Sequence, residues 1–298
     1  MTPVNFAKRI VTRFMAHVRV AVWLWSARAR QAFSRRKWRR SSVPAMSPSD
    51  RQIAADLADH GIHVTTLDQL AMPDTDRLRA QANDCVRQLA DADPGVAEGE
   101  NDSIFFVLAD PRKLVAERTT LLLWGLQDRI LNIVEAYLGQ PAHCLGIFAR
   151  RDLADGTERG TRRWHIDIND VRYLKIIVYL NDVSADGGPF QYLPDTVSRA
   201  LLRAGRSKSL DDVRIATLGK TDMESCEGPA GTVIFVDTAR LYHRGRRPEH
   251  ERFTLFFSYA SRHPSRPDLC AAVHFRSGFA HLTAPLTQRQ RDSLDWPR

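Results

Sequence analysis

The chain has 298 residues, 43% of them hydrophobic and 26% charged, which allows a substantial buried core and excludes a fibrous or wholly disordered protein. Its net charge of +8 is concentrated at one end: the first 40 residues hold eleven of the 43 Lys and Arg, and no acidic residue precedes Asp50. The remainder, 32 basic against 35 acidic residues, is mildly acidic, so no specific nucleic-acid partner is expected for the body.

In chain order, residues 6–33 come first. Phe6, Ile10, Phe14, Val18, Val22 and Trp25 recur at helical spacing, with Lys8, Arg9, Arg13, Arg19 and Arg30 on the other side. This basic amphipathic pattern suits peripheral contact with an anionic membrane surface. A signal peptide, an organelle transit peptide and a solvated basic tail are competing readings. Apolar residues run unbroken only from Val20 to Trp25, too few to span a bilayer. Residues 1–45 are thus read as an arm and linker, and 46–298 as the folded domain, with a cytoplasmic setting expected. Cys85, Cys144, Cys226 and Cys270 form no C-x-x-C pair, which fits reduced thiols and excludes a small disulfide scaffold.

Ser47-Pro48-Ser49-Asp50 has the signature of a helix start, and that helix is expected to stop at Gly61. A short strand over 62–67, a helix over 76–90 and a longer helix over 112–138 follow. Beyond residue 142 the period shortens. Strands are expected at Cys144–Arg150, Trp164–Ile168, Tyr173–Leu180, Phe190–Leu193, Gly231–Asp237 and Phe253–Tyr259, separated by turns such as Asp186-Gly187-Gly188-Pro189. Helices followed by many short strands predict an α+β protein whose second part is a sandwich or barrel. The polar segment 203–228 reads as a mobile lid.

Trp164-His165-Ile166-Asp167-Ile168 sets two ligand-type side chains at i and i+2, on one face if the segment is a strand. His243, in Leu241-Tyr242-His243, is the best third candidate. Two histidines and a carboxylate make the facial triad of non-haem iron(II) enzymes, which leaves coordination places open. Each residue also has a plainer reading. His165 and Asp167 are a possible surface ion pair, and His243 a possible structural histidine. Arg252 is free to pair with Asp237 or Glu251 instead of a ligand. Trp164 and Tyr242 read as packing residues, and strand parity sets Arg150, Lys175 and Gln191 near the pocket.

Three blocks, "WHIDIND", "YLKIIVYLNDVSADGGPFQYLPDT" and "GTVIFVDTARLYHRGRRPEHERFTLFFSYAS", resemble the phytanoyl-CoA dioxygenase-like iron/2-oxoglutarate oxygenases, a likeness running over residues 48–295. The resemblance implies a double-stranded β-helix (jelly-roll, cupin-like) core flanked by N-terminal helices, with Fe(II) on His165, Asp167 and His243. It also implies 2-oxoglutarate and O2 as co-substrates. Arg252, nine residues after His243, stands where the family places its co-substrate arginine, and Thr254 resembles its hydroxyl partner. The activity implied is hydroxylation of a C–H bond with release of succinate and CO2, with desaturation and cyclisation also open. The family's halogenating members lack the carboxylate ligand, which is present here as Asp167. The substrate expected is a small, anionic or lipid-linked molecule, such as a Kdo-type sugar of lipopolysaccharide or an acyl-CoA-like molecule. Arg150, Arg151, Arg159, Arg162, Arg163 and Arg172 hint at the anionic charge. A non-catalytic jelly-roll binding protein and a cupin-type metalloenzyme that ignores 2-oxoglutarate are the rival readings.

Overall fold

The computed structural model describes residues 46–94, 105–204, 209–210, 223–270 and 286–294, together with Ala29 alone. Apart from Ala29, the basic arm expected over residues 6–33 lies outside the described residues. Among those described, no helix is long and apolar enough to cross a membrane.

The first helix, α1 (Pro48–His60), begins and ends where its sequence signals stand. The Ser47 hydroxyl accepts the Asp50 N–H at 3.1 Å, and Gly61, at φ 83°, returns its N–H to Leu57 O. Strand β1 (Ile62–Thr66) follows and gives way to the short helix α2 (Leu67–Leu70), which Thr66 caps through its hydroxyl. Helix α3 (Thr75–Asp91) buries Leu78, Ala82, Cys85 and Leu89 at helical spacing, and β2 (Phe106–Leu108) comes next.

The single helix expected over 112–138 is in fact three: α4 (Pro111–Glu117), α5 (Thr119–Gly125) and α6 (Asp128–Leu138). Arg118 leaves helical geometry at φ −132° and ψ 53°, and Gln127 is extended. A straight helix of that length would run about 40 Å. The breaks fold it into pieces that cover one sheet face. Continuous burial through Leu121, Leu122, Trp124 and Leu126 hides them from a periodicity reading.

The remaining strands are β3 (Ala142–Asp152), β4 (Trp164–His165), β5 (Leu174–Tyr179), β6 (Phe190–Tyr192), β7 (Ser209–Leu210), β8 (Glu224–Cys226), β9 (Thr232–Asp237), β10 (His243–Gly245) and β11 (Arg252–Ser261). A 3-10 turn, Gly160–Arg162, precedes β4. Helix α7 (Asp195–Arg203) lies between β6 and β7, while α8 (Pro267–Cys270) and α9 (Gln288–Leu294) follow β11.

These strands make two sheets in which every pairing is antiparallel. The larger runs β1-β9-β5-β11-β3-β2 and the smaller β7-β4-β10-β6-β8. This is the expected α+β jelly-roll with helices at its N-terminal side. Alternate residues of the central strands enter two different cores. Ile176, Val178, Phe235, Leu255 and Phe257 face the helices, whereas Ile177, Tyr179, Ile234 and Val236 face the smaller sheet. Both faces of β5 and β9 are therefore apolar over residues 176–179 and 233–236, which read as unbroken hydrophobic runs, while Lys175 breaks the pattern at the start of β5.

Several expected strands differ in extent. Trp164–Ile168 is strand only at its first two residues, and β3 and β11 are longer than their apolar cores. Of the expected lid, residues 205–208 and 211–222 lie outside the described residues. Its described parts include β7 and β8, which pair with β4 and β6 at the two edges of the smaller sheet.

Helix and sheet meet most closely at Gly125. A Cβ there would stand 2.4 Å from the Phe257 ring, and the Tyr259 hydroxyl donates to Gly125 O at 2.7 Å. Gly125→Ala should therefore destabilise the fold by about 1–3 kcal/mol despite the better helix propensity of alanine, because the overpacking outweighs that gain. Chemical denaturation of the two proteins checks this; an unchanged or raised midpoint would show that the sheet yields easily.

Candidate metal and co-substrate site

His165 and His243 are brought together by sheet register. They are Cα partners in the β4–β10 pairing, and their rings lie 4.3 Å apart. Each is oriented by its own backbone: His165 Nδ1 lies 2.8 Å from Arg163 O, and His243 Nδ1 lies 3.0 Å from Leu241 O. A carbonyl only accepts, so both rings carry their proton on Nδ1 and turn a bare Nε2 into the site. Burial, with His165 and Lys175 beside it, pushes His243 down to about 3; burial also lowers His165. Both imidazoles are then neutral near pH 7, the form that binds a metal.

Asp167 reaches the same place by a different route from the one its spacing suggested. It lies past the end of β4, and its N–H bonds to Thr238 O at 2.8 Å in the segment between β9 and β10. That bond, rather than strand pleat, aims the carboxylate. The ligand atoms of His165, Asp167 and His243 all lie within 4.8 Å of one another. Asp167 Oδ1 is 3.8 Å from His165 Nε2, and its Oδ2 is 2.6 Å from Lys175 Nζ. Burial would raise this carboxyl, but Lys175, His243 and His165 outweigh burial and hold it well below the usual carboxylate range. The surface-pair reading of His165 and Asp167 does not fit, because both groups turn inward with His243.

Arg252 and Thr254 point from β11 into the cavity that His165, His243 and Lys175 also line. Arg252 is buried and pairs with neither Asp237 nor Glu251. It donates from Nε and Nη2 to Asp152 at 3.2 and 2.9 Å, and from Nη1 to Gly188 O. Two of its five N–H donors are left over. Arg150 shares the same carboxylate at 3.0 Å and stacks against the Phe106 and Phe256 rings. Burial pushes Asp152 up, yet the two guanidiniums prevail and lower it. Thr254 Oγ1 is buried with no hydrogen-bond partner. Such a group costs free energy unless a ligand satisfies it.

Arg150 and Lys175 line the cavity as strand parity indicated, but Gln191 does not; it accepts from Arg244 Nε at 2.9 Å. Trp164 and Tyr242 pack in the small core with Leu193, Leu201 and Leu210. Most of the nearby arginines are occupied by the fold. Arg151 binds Glu251 and the carbonyls at the end of α3, Arg162 binds Asp155 and Phe105 O, Arg163 binds Glu158 O, and Arg172 binds Tyr137 O. They are not a substrate-facing patch. Asp152 was missed in the sequence. Its only signal was parity with Arg150 on one strand, and its partner Arg252 is remote in the chain but is its register partner in β11.

The polypeptide between β9 and β10 is pinned by Asp237. Its buried carboxyl accepts from the Tyr137 hydroxyl, from Tyr173 N–H at 3.1 Å and from Ala239 N–H at 3.0 Å. Arg240 clamps the same turn, through Asp195 at 2.6 Å and the carbonyls of Leu57, Ala58 and Asp59 at the end of α1.

No family model matches the sequence, and no curated protein matches it. Solved structures do. The epimerase SnoN, in complex with Fe3+, alpha ketoglutarate and nogalamycin RO, aligns over 77% of this chain and 92% of its own with a TM-score of 0.53 at 17% identity. A second structure of SnoN, the non-heme alpha ketoglutarate dependent epimerase from nogalamycin biosynthesis, gives a TM-score of 0.51 at 15% identity, over 77% and 91%. HygX from Streptomyces hygroscopicus, with nickel and 2-oxoglutarate bound, aligns at 0.47 and 19% identity over 73% and 88%. The chain thus has the jelly-roll fold expected from its resemblance to the iron/2-oxoglutarate oxygenases, the fold it shares with SnoN.

Proposed function

We propose that this protein is an Fe(II)- and 2-oxoglutarate-dependent oxygenase acting on a C–H bond of a small molecule. The observation that carries the reading is the convergence of His165, Asp167 and His243, with both imidazole Nε2 atoms bare and Thr254 orphaned in the adjoining cavity. Two histidines and one carboxylate suit Fe(II) and leave places for further ligands. Arg252 has two donors to spare and Thr254 one hydroxyl, and together they fit the far carboxylate of 2-oxoglutarate. Bound there, the metal and the 2-oxo acid would, with O2 as oxidant, supply oxidative decarboxylation to succinate and CO2, one oxygen atom entering succinate and the other the substrate.

The chain's own groups do the positioning. Arg163 O and Leu241 O fix the ring orientations, Thr238 O places Asp167, and Asp152 and Gly188 O hold the Arg252 fork in one plane. Ile177, Tyr179, Phe190 and Phe256 make the cavity wall apolar, which limits water near a reactive centre. Asp167 fills the place that halogenating relatives leave open, so hydroxylation is the outcome proposed. Of the cavity cations, Arg150 is the one left to support an anionic substrate, since Arg252 is given to 2-oxoglutarate and Lys175 pairs with Asp167. A lipid-linked substrate would follow only if residues 6–33 dock on a membrane.

Anaerobic titration with Fe(II) and 2-oxoglutarate should produce a visible charge-transfer band, absent in His165→Ala and weakened about tenfold or more in 2-oxoglutarate affinity in Arg252→Lys, which keeps the charge but loses the fork. A folded wild-type protein without the band would instead support the non-catalytic binding protein. Turnover that needs iron but not 2-oxoglutarate would support the cupin-type enzyme.

Thr254→Val separates the two roles of that hydroxyl. The metal-free variant should be as stable as wild type or up to about 1 kcal/mol more stable, since an unsatisfied buried group is removed. Its 2-oxoglutarate affinity should fall. A lowered melting temperature with unchanged affinity would mean that the hydroxyl serves the fold.

A further inference from the structure

Lys175 is not part of the ligand set, yet it is the cation paired with it. Its Nζ lies 2.6 Å from Asp167 Oδ2. It is held there by its strand: β5 is central, with Lys175 opposite Ser258 on β11 and Val236 on β9, and the ammonium sits 5.4 Å from the Tyr173 ring centroid. The pairing takes up the charge of the one anionic ligand. Asp167 and Lys175 together present no net charge. At the other end of the same cavity, Arg150 and Arg252 share the single carboxylate of Asp152. The five ionised groups therefore leave one positive charge in surplus.

A divalent cation entering such a site meets repulsion that water screens poorly, because the groups are largely buried. A 2-oxo dicarboxylate brings two negative charges and cancels that repulsion. Charge alone then couples the two binding events, and the coupling must be reciprocal.

We propose that Lys175 ties metal loading to co-substrate binding: its ammonium neutralises Asp167 in the metal-free site, so a divalent cation binds weakly alone and tightly with 2-oxoglutarate. The inference rests on the iron/2-oxoglutarate reading above. It makes Lys175 a positioning residue that acts through Asp167.

The test is calorimetric titration of the full-length protein with manganese(II), a redox-stable probe, with and without saturating 2-oxoglutarate. Wild type, Lys175→Met, Lys175→Gln and Lys175→Arg are compared after circular dichroism shows each to be folded. Lys175→Gln keeps a donor for Asp167 should the methionine variant fail to fold. In wild type, 2-oxoglutarate should tighten manganese binding by about tenfold or more. Both neutral variants should bind manganese alone roughly tenfold tighter than wild type, with the enhancement by 2-oxoglutarate reduced to a few-fold. Lys175→Arg should behave as wild type.

Neutral variants that bind manganese alone no tighter than wild type would overturn the proposal. So would an arginine variant that behaves like the methionine one, since charge would not then be the cause. Wild-type protein that binds both manganese and 2-oxoglutarate, but whose variants do not move, sinks this inference and leaves the functional reading standing. Wild-type protein that binds neither sinks both.

Discussion

Everything at the site depends on the pairing of β4 with β10, which sets His165 against His243. These are the shortest kind of strand, two and three residues, and backbone hydrogen bonds between them are too few to fix a register. Side chains supply what the ladder lacks. Trp164 and Tyr242, each preceding its histidine, turn to the opposite face and pack in one buried cluster with Leu193 and Leu201. The Ser198 hydroxyl accepts the Tyr242 N–H, and Leu193 N–H bonds to Tyr242 O. A slip of one residue would bury the imidazoles in that cluster and turn the aromatic rings toward the cavity, so packing selects the ligand-forming register.

The approach to β10 is fixed with equal care. Asp237 ends β9 and gathers the Tyr137 hydroxyl and two backbone N–H groups, which ties the turn to α6 and to the start of β5. Burial pushes this carboxyl up even though those donors, and Arg172 beside it, pull it down. Thr238, the next residue, uses its carbonyl to place Asp167. One turn therefore sets the third candidate ligand, Asp167, and leads into His243. Helices also reach the site through this turn, by way of Tyr137 from α6 and the α1 carbonyls that receive Arg240.

Much of this was legible in the sequence, and the limits have physical causes. The helix start at Ser47 and its stop at Gly61 are local signals, carried by one hydroxyl and one residue that tolerates positive φ, and they stand where expected. The breaks at Arg118 and Gln127 are not local: they follow from the shape of the sheet that α4, α5 and α6 cover. His165, Asp167 and His243 were recognisable by type and spacing, although the assumed strand geometry of Asp167 was wrong. Asp152, the partner of Arg252, is 100 residues away in sequence, and only the β3–β11 register makes them neighbours. Lys175 was placed near the pocket by parity, but its contact with Asp167 joins two elements whose relative position no spacing encodes.

Buried ion pairs rarely add stability, because desolvation consumes the attraction. The interior face of this jelly roll nevertheless carries two such systems, Arg150–Asp152–Arg252 and Lys175–Asp167, beside an apolar wall of Ile177, Tyr179 and Phe190. Ile234, Val236 and Leu241 pack in an all-apolar cluster facing the same sheet. The charges gather around the one cavity that the orphaned Thr254 hydroxyl and the two histidines also line. Elsewhere, arginines close to β4 in sequence are consumed by carbonyls and carboxylates of the fold. Charge that stabilises structure and charge that faces the cavity thus sit on different residues. The second kind makes physical sense only as provision for ligands that bring charge of their own.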